Sequence, residues 1–230
     1  MKRFWTEVAL SEAEGGWGIA LDGRPLKTPA RQTLMLGNRR LADAITEEWR
    51  VCGAEIDPRA MPLTGLANAA IDHVAPAPAR FAADLAHYAE GDLLCYRVEH
   101  PPKLVAAQAA AWDPLLDWAR QRFDVDFVVT AGIIHVPQAP ATVARLAAAL
   151  TPATPFELAA LSPIITIGGS LVTGLALFER AIDLDTAWHA VSLDDRWQIE
   201  HWGADDEAVA ALANRRADFG AAARFLALLS

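Results

Sequence analysis

Most of the residue patterns that mark an enzyme or a nucleic-acid binder are missing from this chain. It has two cysteines, Cys52 and Cys95, far apart and without Cys-x-x-Cys spacing. That argues against a disulfide framework and for reduced, structural thiols in a reducing compartment. No Lys/Arg block occurs, and the formal net charge is -9. A nucleic-acid partner or an anionic membrane surface therefore lacks its electrostatic footprint. Neither His-x-x-x-His nor His-Glu-x-x-His is present. Asp84 with His87, and Asp194 with His201, are single pairs without a third ligand, so no metal site is expected.

The glycine-rich stretches lack what nucleotides require. Gly169 to Gly174 has the glycine spacing of a phosphate-binding loop, but Leu175 stands where a lysine must reach the phosphates. Gly15-Gly16-Trp17-Gly18 reads as a turn. Ser170 lies outside any Gly-x-Ser-x-Gly elbow. Asp194 and Asp195 are adjacent, so on a helix they diverge by about 100°. Neither catalytic residue nor cofactor is expected. No apolar signal core or Arg/Ser-rich transit segment precedes Arg3-Phe4-Trp5, which predicts a cytoplasmic, bacterial protein.

What is present is a chain rich in core material, 53% hydrophobic over 230 residues. Residues 3–36 read as strands and turns. Phe4, Val8 and Leu10 alternate with Trp5, Glu7 and Ala9, and Trp17, Ile19 and Leu21 alternate with small residues. Asp22-Gly23 is a hairpin signal, and Pro25 and Pro29 demote the next strand to an edge. Asn38 suits an N-cap, followed by Leu41, Ile45 and Trp49 at helical spacing, with Gly53 as a C′ residue. From about Thr64 the pattern is mostly helical. Asp113-Pro114 either kinks a long helix or starts a new one. The predicted fold is α+β: a small N-terminal antiparallel β domain with one helix (1–60), then a larger all-helical domain (61–230). Leu158 to Phe178 carries no charge over 21 residues. Pro163 and Gly168-Gly169 interrupt it, so a buried central helix is expected rather than a stable membrane span.

The stretch Ser192 to Glu207 stands out, with two tryptophans, His201 and six carboxylates. Continued back to Leu184 as one helix, it places Ala187, Trp188, Val191, Ile199 and Trp202 on one side. Leu193 and Trp197 fall on the other. Two apolar faces mean either two covering layers or one side reserved for a partner. Tryptophan is enriched at interface hot spots, and Trp197 is the best individual choice for exposure.

Several of these segments together resemble a known family. They are Arg3-Phe4-Trp5, Leu21-Asp22-Gly23-Arg24-Pro25-Leu26-Lys27-Thr28-Pro29, Glu48-Trp49, Met61-Pro62-Leu63-Thr64 and Asp92-Leu93-Leu94-Cys95-Tyr96-Arg97. Trp112-Asp113-Pro114, Gly169-Ser170 and Gln198-Ile199-Glu200-His201-Trp202-Gly203 extend the match along nearly the whole chain. The chain is similar to the ATP-twelve assembly chaperones of the F-type ATP synthase catalytic sector, known from mitochondria (the matrix, in eukaryotes) and alphaproteobacteria. The resemblance implies a chaperone rather than an enzyme. It implies that the protein binds the free alpha subunit until beta takes its place, without ATP hydrolysis. The expected partner-binding residues are Asp185, Leu193, Trp197 and Glu200. Asn68, Asp72 and Arg97, polar residues of the family motifs, are expected to make structural pairs. The competing reading is a metal-dependent or small-molecule enzyme with a site between the two domains.

Overall fold

The computed structural model describes residues 2–132, 134–203 and 205–230; the side chain of Trp202 lies outside the described residues. Two compact units form. The first comprises Met1–Pro78, Ala153–Ala160 and Ala221–Ser230, and so reaches past residue 60. The second comprises Ala79–Pro152 and Leu161–Gly220.

The first unit is built on an antiparallel sheet. Strand β1 (Val8–Ala13) pairs along its length with β2 (Gly16–Leu21). The short strands β3 (Arg24–Pro25) and β4 (Met35–Leu36) share the other edge of β2. Asp22 and Gly23 both have positive φ, 47° and 76°, the geometry whose twist matches a tight hairpin. Asp22 also anchors the entering chain, because its Oδ1 accepts from the Thr6 N–H (3.0 Å) and the Glu7 N–H (2.8 Å). The Glu7 bond, then the Thr6 bond, holds its carboxyl below the usual range. This grip breaks the alternation expected from Phe4 onward. The strand starts only at Val8; Trp5 is 4% exposed and Phe4 is 66% exposed, the reverse of the period-two reading.

Helix α1 (Arg39–Val51) packs on β1 and β2, burying Leu41 and Ile45. Asn38 caps it, its Oδ1 accepting from the Leu41 N–H at 3.2 Å. The helix ends with Cys52 in an extended conformation, so Gly53 is not the left-handed C′ residue expected. Helix α2 (Pro62–Ala69) starts with Pro62 and passes into a π turn at Ala70–Val74. Its first turn is capped from α1: Glu48 accepts the Leu63 and Thr64 N–H groups, both at 2.8 Å. Asp72 accepts from Thr28 Oγ1 (2.6 Å) and the Ala30 N–H (3.0 Å), a structural pairing.

The second unit is helical, apart from a two-residue parallel ladder of β5 (Tyr96–Arg97) with β6 (Thr130–Ala131). Helix α3 (Pro78–Ala86) leads in. Helix α4 (Pro102–Phe123) is one continuous helix with Pro114 inside it. Trp112 on α4 is fully buried and donates its indole N–H to the Ala190 carbonyl at 2.8 Å. Arg97 donates to the Leu94 carbonyl (2.9 Å) and to Asp113 (2.8 Å), and stacks over Trp112. Helix α5 (Pro140–Ala149) follows.

The charge-free stretch is not one helix. It forms the end of α6 (Pro155–Gly168) and all of α7 (Leu171–Phe178), separated at Gly169 with φ 63°. Ser170 caps α7, accepting from the Thr173 N–H at 3.0 Å. Asp92, fully buried, fixes the break. Its Oδ2 accepts from the Val172 N–H (2.9 Å) and its Oδ1 from the Leu94 N–H (3.1 Å). Burial pushes the Asp92 carboxyl up to about 6, opposed first by the Val172 hydrogen bond. An α6–α7 approach at Gly174 replaces the long span: a Cβ there would lie 2.6 Å from Ile165 Cγ1. Among the described residues no helix is long and apolar enough to cross a membrane.

Candidate partner-binding site

The site is assembled from three helices at the end of the chain. Helix α8 (Leu184–Val191) is capped by Asp183, which accepts from the Thr186 N–H at 2.8 Å. The chain then bends at Ser192, with φ -102° and ψ 8°, and resumes as α9 (Leu193–Trp202). The single helix expected over 184–202 is therefore two. The cause is local: Ser192 Oγ donates back to the Trp188 carbonyl at 2.6 Å and accepts from Arg196 Nε at 3.1 Å. Such back-bonding competes with the helical ladder. Gly203, with φ 97°, ends α9, and α10 (Asp206–Leu228) follows.

The bend redistributes the two apolar faces. Leu193 is only 5% exposed, on a helix that packs against α4 and α8. It lies under other helices of the unit, which leaves little of it for the partner contact expected there. The polar first turn of α9 is engaged internally as well. Asp194 accepts from Gln108 Nε2 (2.8 Å), and burial pushes its carboxyl up. Asp195 pairs with Arg215 at 2.8 Å, and Arg215 also donates to the Ile167 carbonyl. These groups hold α9 to the unit.

The other three expected residues lie at or near the surface. Trp197 is half-buried, and His201 stacks on it with ring centroids 3.9 Å apart at 12°. Glu200 is exposed on the next turn. Asp185, with a side chain 85% exposed, accepts from Arg216 Nη2 at 2.5 Å. Arg216 in turn lies over the Trp188 ring, 5.5 Å from its centroid. The structure brings Glu200 and Arg216, the partner of Asp185, to one feature that periodicity did not reveal. This is a groove of about 400 Å³ between α8, α9 and the first half of α10. Trp188, Ile199, Val209 and Leu212 form its apolar wall, and Arg196, Glu200 and Arg216 its charged rim. Trp197 does not line it.

The rim is ordered by side-chain bonds. Arg196 Nη2 donates to the His189 carbonyl (3.1 Å) and faces His189 Nδ1 at 3.0 Å. A guanidinium has no acceptor, so Nδ1 must accept and the imidazole is neutral in this arrangement. Burial first, then Arg196, lowers the His189 pKa. A second recess of about 330 Å³, lined by Gln198, Ala208, Ala211 and Arg215, opens beside Ile199 and Leu212. The first half of α10 thus has space on two sides, and Val209 is 42% exposed. Among the described residues, no three His, Cys, Asp or Glu side chains gather where they could hold a metal ion. The arrangement offers apolar contact framed by charge.

A family model described as ATP12 chaperone protein matches residues 2–120. The crystal structure of Atp12 from Paracoccus denitrificans superposes with a TM-score of 0.93 at 44% identity, covering 100% of this chain and 98% of that one. The chain belongs to the ATP12 chaperone family. The Atu1473 protein of Agrobacterium tumefaciens is 38% identical, with a TM-score of 0.94, over 100% of this chain and 86% of its own. "Protein atp12, mitochondrial" of Schizosaccharomyces pombe is 25% identical over 219 residues, which is 90% of this chain and 75% of the yeast protein. The family model ends at residue 120, within α4, so the groove lies beyond the part it matches. The Paracoccus ATP12 fold covers both. The α+β order of this chain, antiparallel strands followed by helices, is that of the ATP12 fold.

Proposed function

We propose that this ATP12-family chain is a chaperone for assembly of the F-type ATP synthase catalytic sector, holding the free alpha subunit until beta replaces it. Family membership across the whole chain is the observation that carries this reading. The physical logic supports it. An unassembled subunit exposes an interface meant for its neighbour, and such a surface is an aggregation hazard. A holding protein needs no fuel, only an affinity below that of the final partner, and release follows by exchange. No step in that cycle calls for ATP hydrolysis.

The surface assigned to the client is the face of α8, α9 and the first half of α10. Its apolar wall and charged rim have the anatomy of a protein interface. Trp188, Trp197 and Val209 supply apolar area there, and Asp185 and Glu200 supply acidity. Co-purification of the cognate alpha subunit, with and without beta, tests the function: alpha alone should be retained, and beta should displace it. Trp197→Ala and Glu200→Lys test the placement. Alpha binding as tight as wild type in both would remove α9 from the interface. Turnover or a bound metal in the purified protein would favour an enzyme instead.

A further inference from the structure

The bend between α8 and α9 is tied by side chains that cross it. Ser192 Oγ, at the corner, donates to the Trp188 carbonyl on α8 and accepts from Arg196 Nε on α9. Arg196 Nη2 reaches back over the bend to the His189 carbonyl at 3.1 Å and to His189 Nδ1 at 3.0 Å. One guanidinium thus joins α9 both to the corner serine and to the last turn of α8. Its contact with the imidazole depends on protonation. Every guanidinium nitrogen is a donor, so Nδ1 takes part only while its lone pair is free. A second proton on the ring removes that lone pair and sets two cations at contact distance, where they repel.

From this geometry we propose that His189 and Arg196 form a proton-operated clip on the α8–α9 bend. Neutral His189 holds Arg196 and keeps the bend closed; protonated His189 expels Arg196 and lets α9 loosen from α8. The surroundings offer the imidazolium no carboxylate. Toward α4 and the chain after α7, His189 shares a recess with Ala110, Ala111, Pro114, Trp118 and Ile182, and among the described residues it is the one ionisable group lining it. Asp113 and Asp117 of α4 are paired with Arg97 and Arg120, and Glu179 beyond α7 with Arg122. On α8, Asp183 caps the far end, and Asp185, one turn back from His189, is held by Arg216 of α10. On α9, Asp194 turns to Gln108 and Asp195 to Arg215, while Glu200 lies on the groove rim one turn beyond Arg196. Burial first, then Arg196, holds the His189 pKa below its ordinary value of 6.5, so the unfolded chain binds the proton more tightly than the folded one. The clip's contribution is therefore full above about pH 6.5 and is lost as pH falls through the lower folded value. Arg196 also lines the groove beside Trp188 and Ile199, so its release alters rim and wall together. The clip acts on the fold itself, whatever the groove receives.

Two measurements on the full chain test the clip. His189 is exposed and Arg196 half-buried, so substitution of either leaves the core closed. The first measurement is the titration of the His189 ring by side-chain nitrogen NMR, in wild type and in Arg196→Met. Proton affinity should be at least threefold greater in Arg196→Met, with wild type titrating below pH 6.5. The second is amide hydrogen exchange over residues 192–196, corrected for the intrinsic effect of pH, between about pH 7.5 and about pH 4.5. Opening in wild type should be at least fivefold more frequent at the lower pH. His189→Gln keeps an acceptor for Arg196 but takes no proton, and its opening should change less than twofold. Asp92 and Asp194, whose carboxyls burial pushes up, are present in both proteins, so the difference between the two isolates the imidazole. Equal proton affinity in wild type and Arg196→Met would overturn the clip. So would a pH response in His189→Gln as large as that of wild type, or no response in wild type. A wild-type ring titrating above pH 6.5 would overturn it without recourse to any variant.

Discussion

Helix α7 and the first half of α10, which sets Val209 and Leu212 among alanines and charged residues, lie in the same unit yet are held differently. Leu171 through Ala176 of α7 are all buried. Its N-terminus is satisfied by Ser170 and Asp92, and its one glycine sits against Ile165. The first half of α10 has grooves on two sides and an exposed Val209. A valine or leucine on a helix does not by itself say whether that helix is structural or offered to a partner. What separates the two is how completely the neighbouring helices close over it.

Changes in α7 should therefore cost stability, and changes on α10 should cost binding. The largest effect is expected at Asp92. Asp92→Ala orphans the buried N–H groups of Leu94 and Val172, at about 1–3 kcal/mol each, so urea unfolding at about pH 4, where the buried carboxyl is protonated, should show a loss of roughly 2–6 kcal/mol. A loss below about 1 kcal/mol would mean that α7 does not depend on this carboxylate. The same residue gives a pH signature. Its folded pKa of about 6 lies above the unfolded value of about 3.9, so the folded state binds the proton more tightly. That contribution is greatest below about pH 4 and is lost as pH rises to about 6, an expected fall of about 3 kcal/mol. Asp92→Asn lacks this proton, and its stability profile should differ from wild type by that slope; parallel profiles would contradict the assignment.

Gly174→Val should cost about 1–3 kcal/mol by overpacking against Ile165. A variant as stable as wild type would show that α6 and α7 can separate freely. On α10 the smallest stability effect is expected. Val209→Glu should unfold within about 0.5 kcal/mol of wild type and still weaken alpha binding. A destabilisation as large as that of Gly174→Val would erase the distinction between the two helices.

The sequence made much of this legible, for reasons that can be named. Asp22-Gly23 and Asn38 before Leu41 act locally, and each was found where its chemistry requires. Three misreadings involve a bond from a distant residue or a side chain turning back on its own helix. Asp22 reaches Thr6 and inverts the burial of Phe4 and Trp5. Asp92 reaches Val172 across 80 residues of chain to hold the break between α6 and α7. Ser192 splits one expected helix and takes Leu193 inside. The groove wall was not visible as a unit, because Trp188, Ile199, Val209 and Leu212 come from three helices whose mutual placement no periodicity encodes. Trp188 and Ile199 on a common apolar side was the one signal available.

The most direct measurement is retention of purified alpha subunit by the immobilised wild-type chain without nucleotide, followed by addition of beta, with Val209→Glu run in parallel. The account predicts that wild type retains alpha, that beta releases it, and that Val209→Glu retains at least tenfold less at equal stability. A wild-type chain that does not retain alpha would contradict the function. Equal retention by Val209→Glu would contradict the assigned surface.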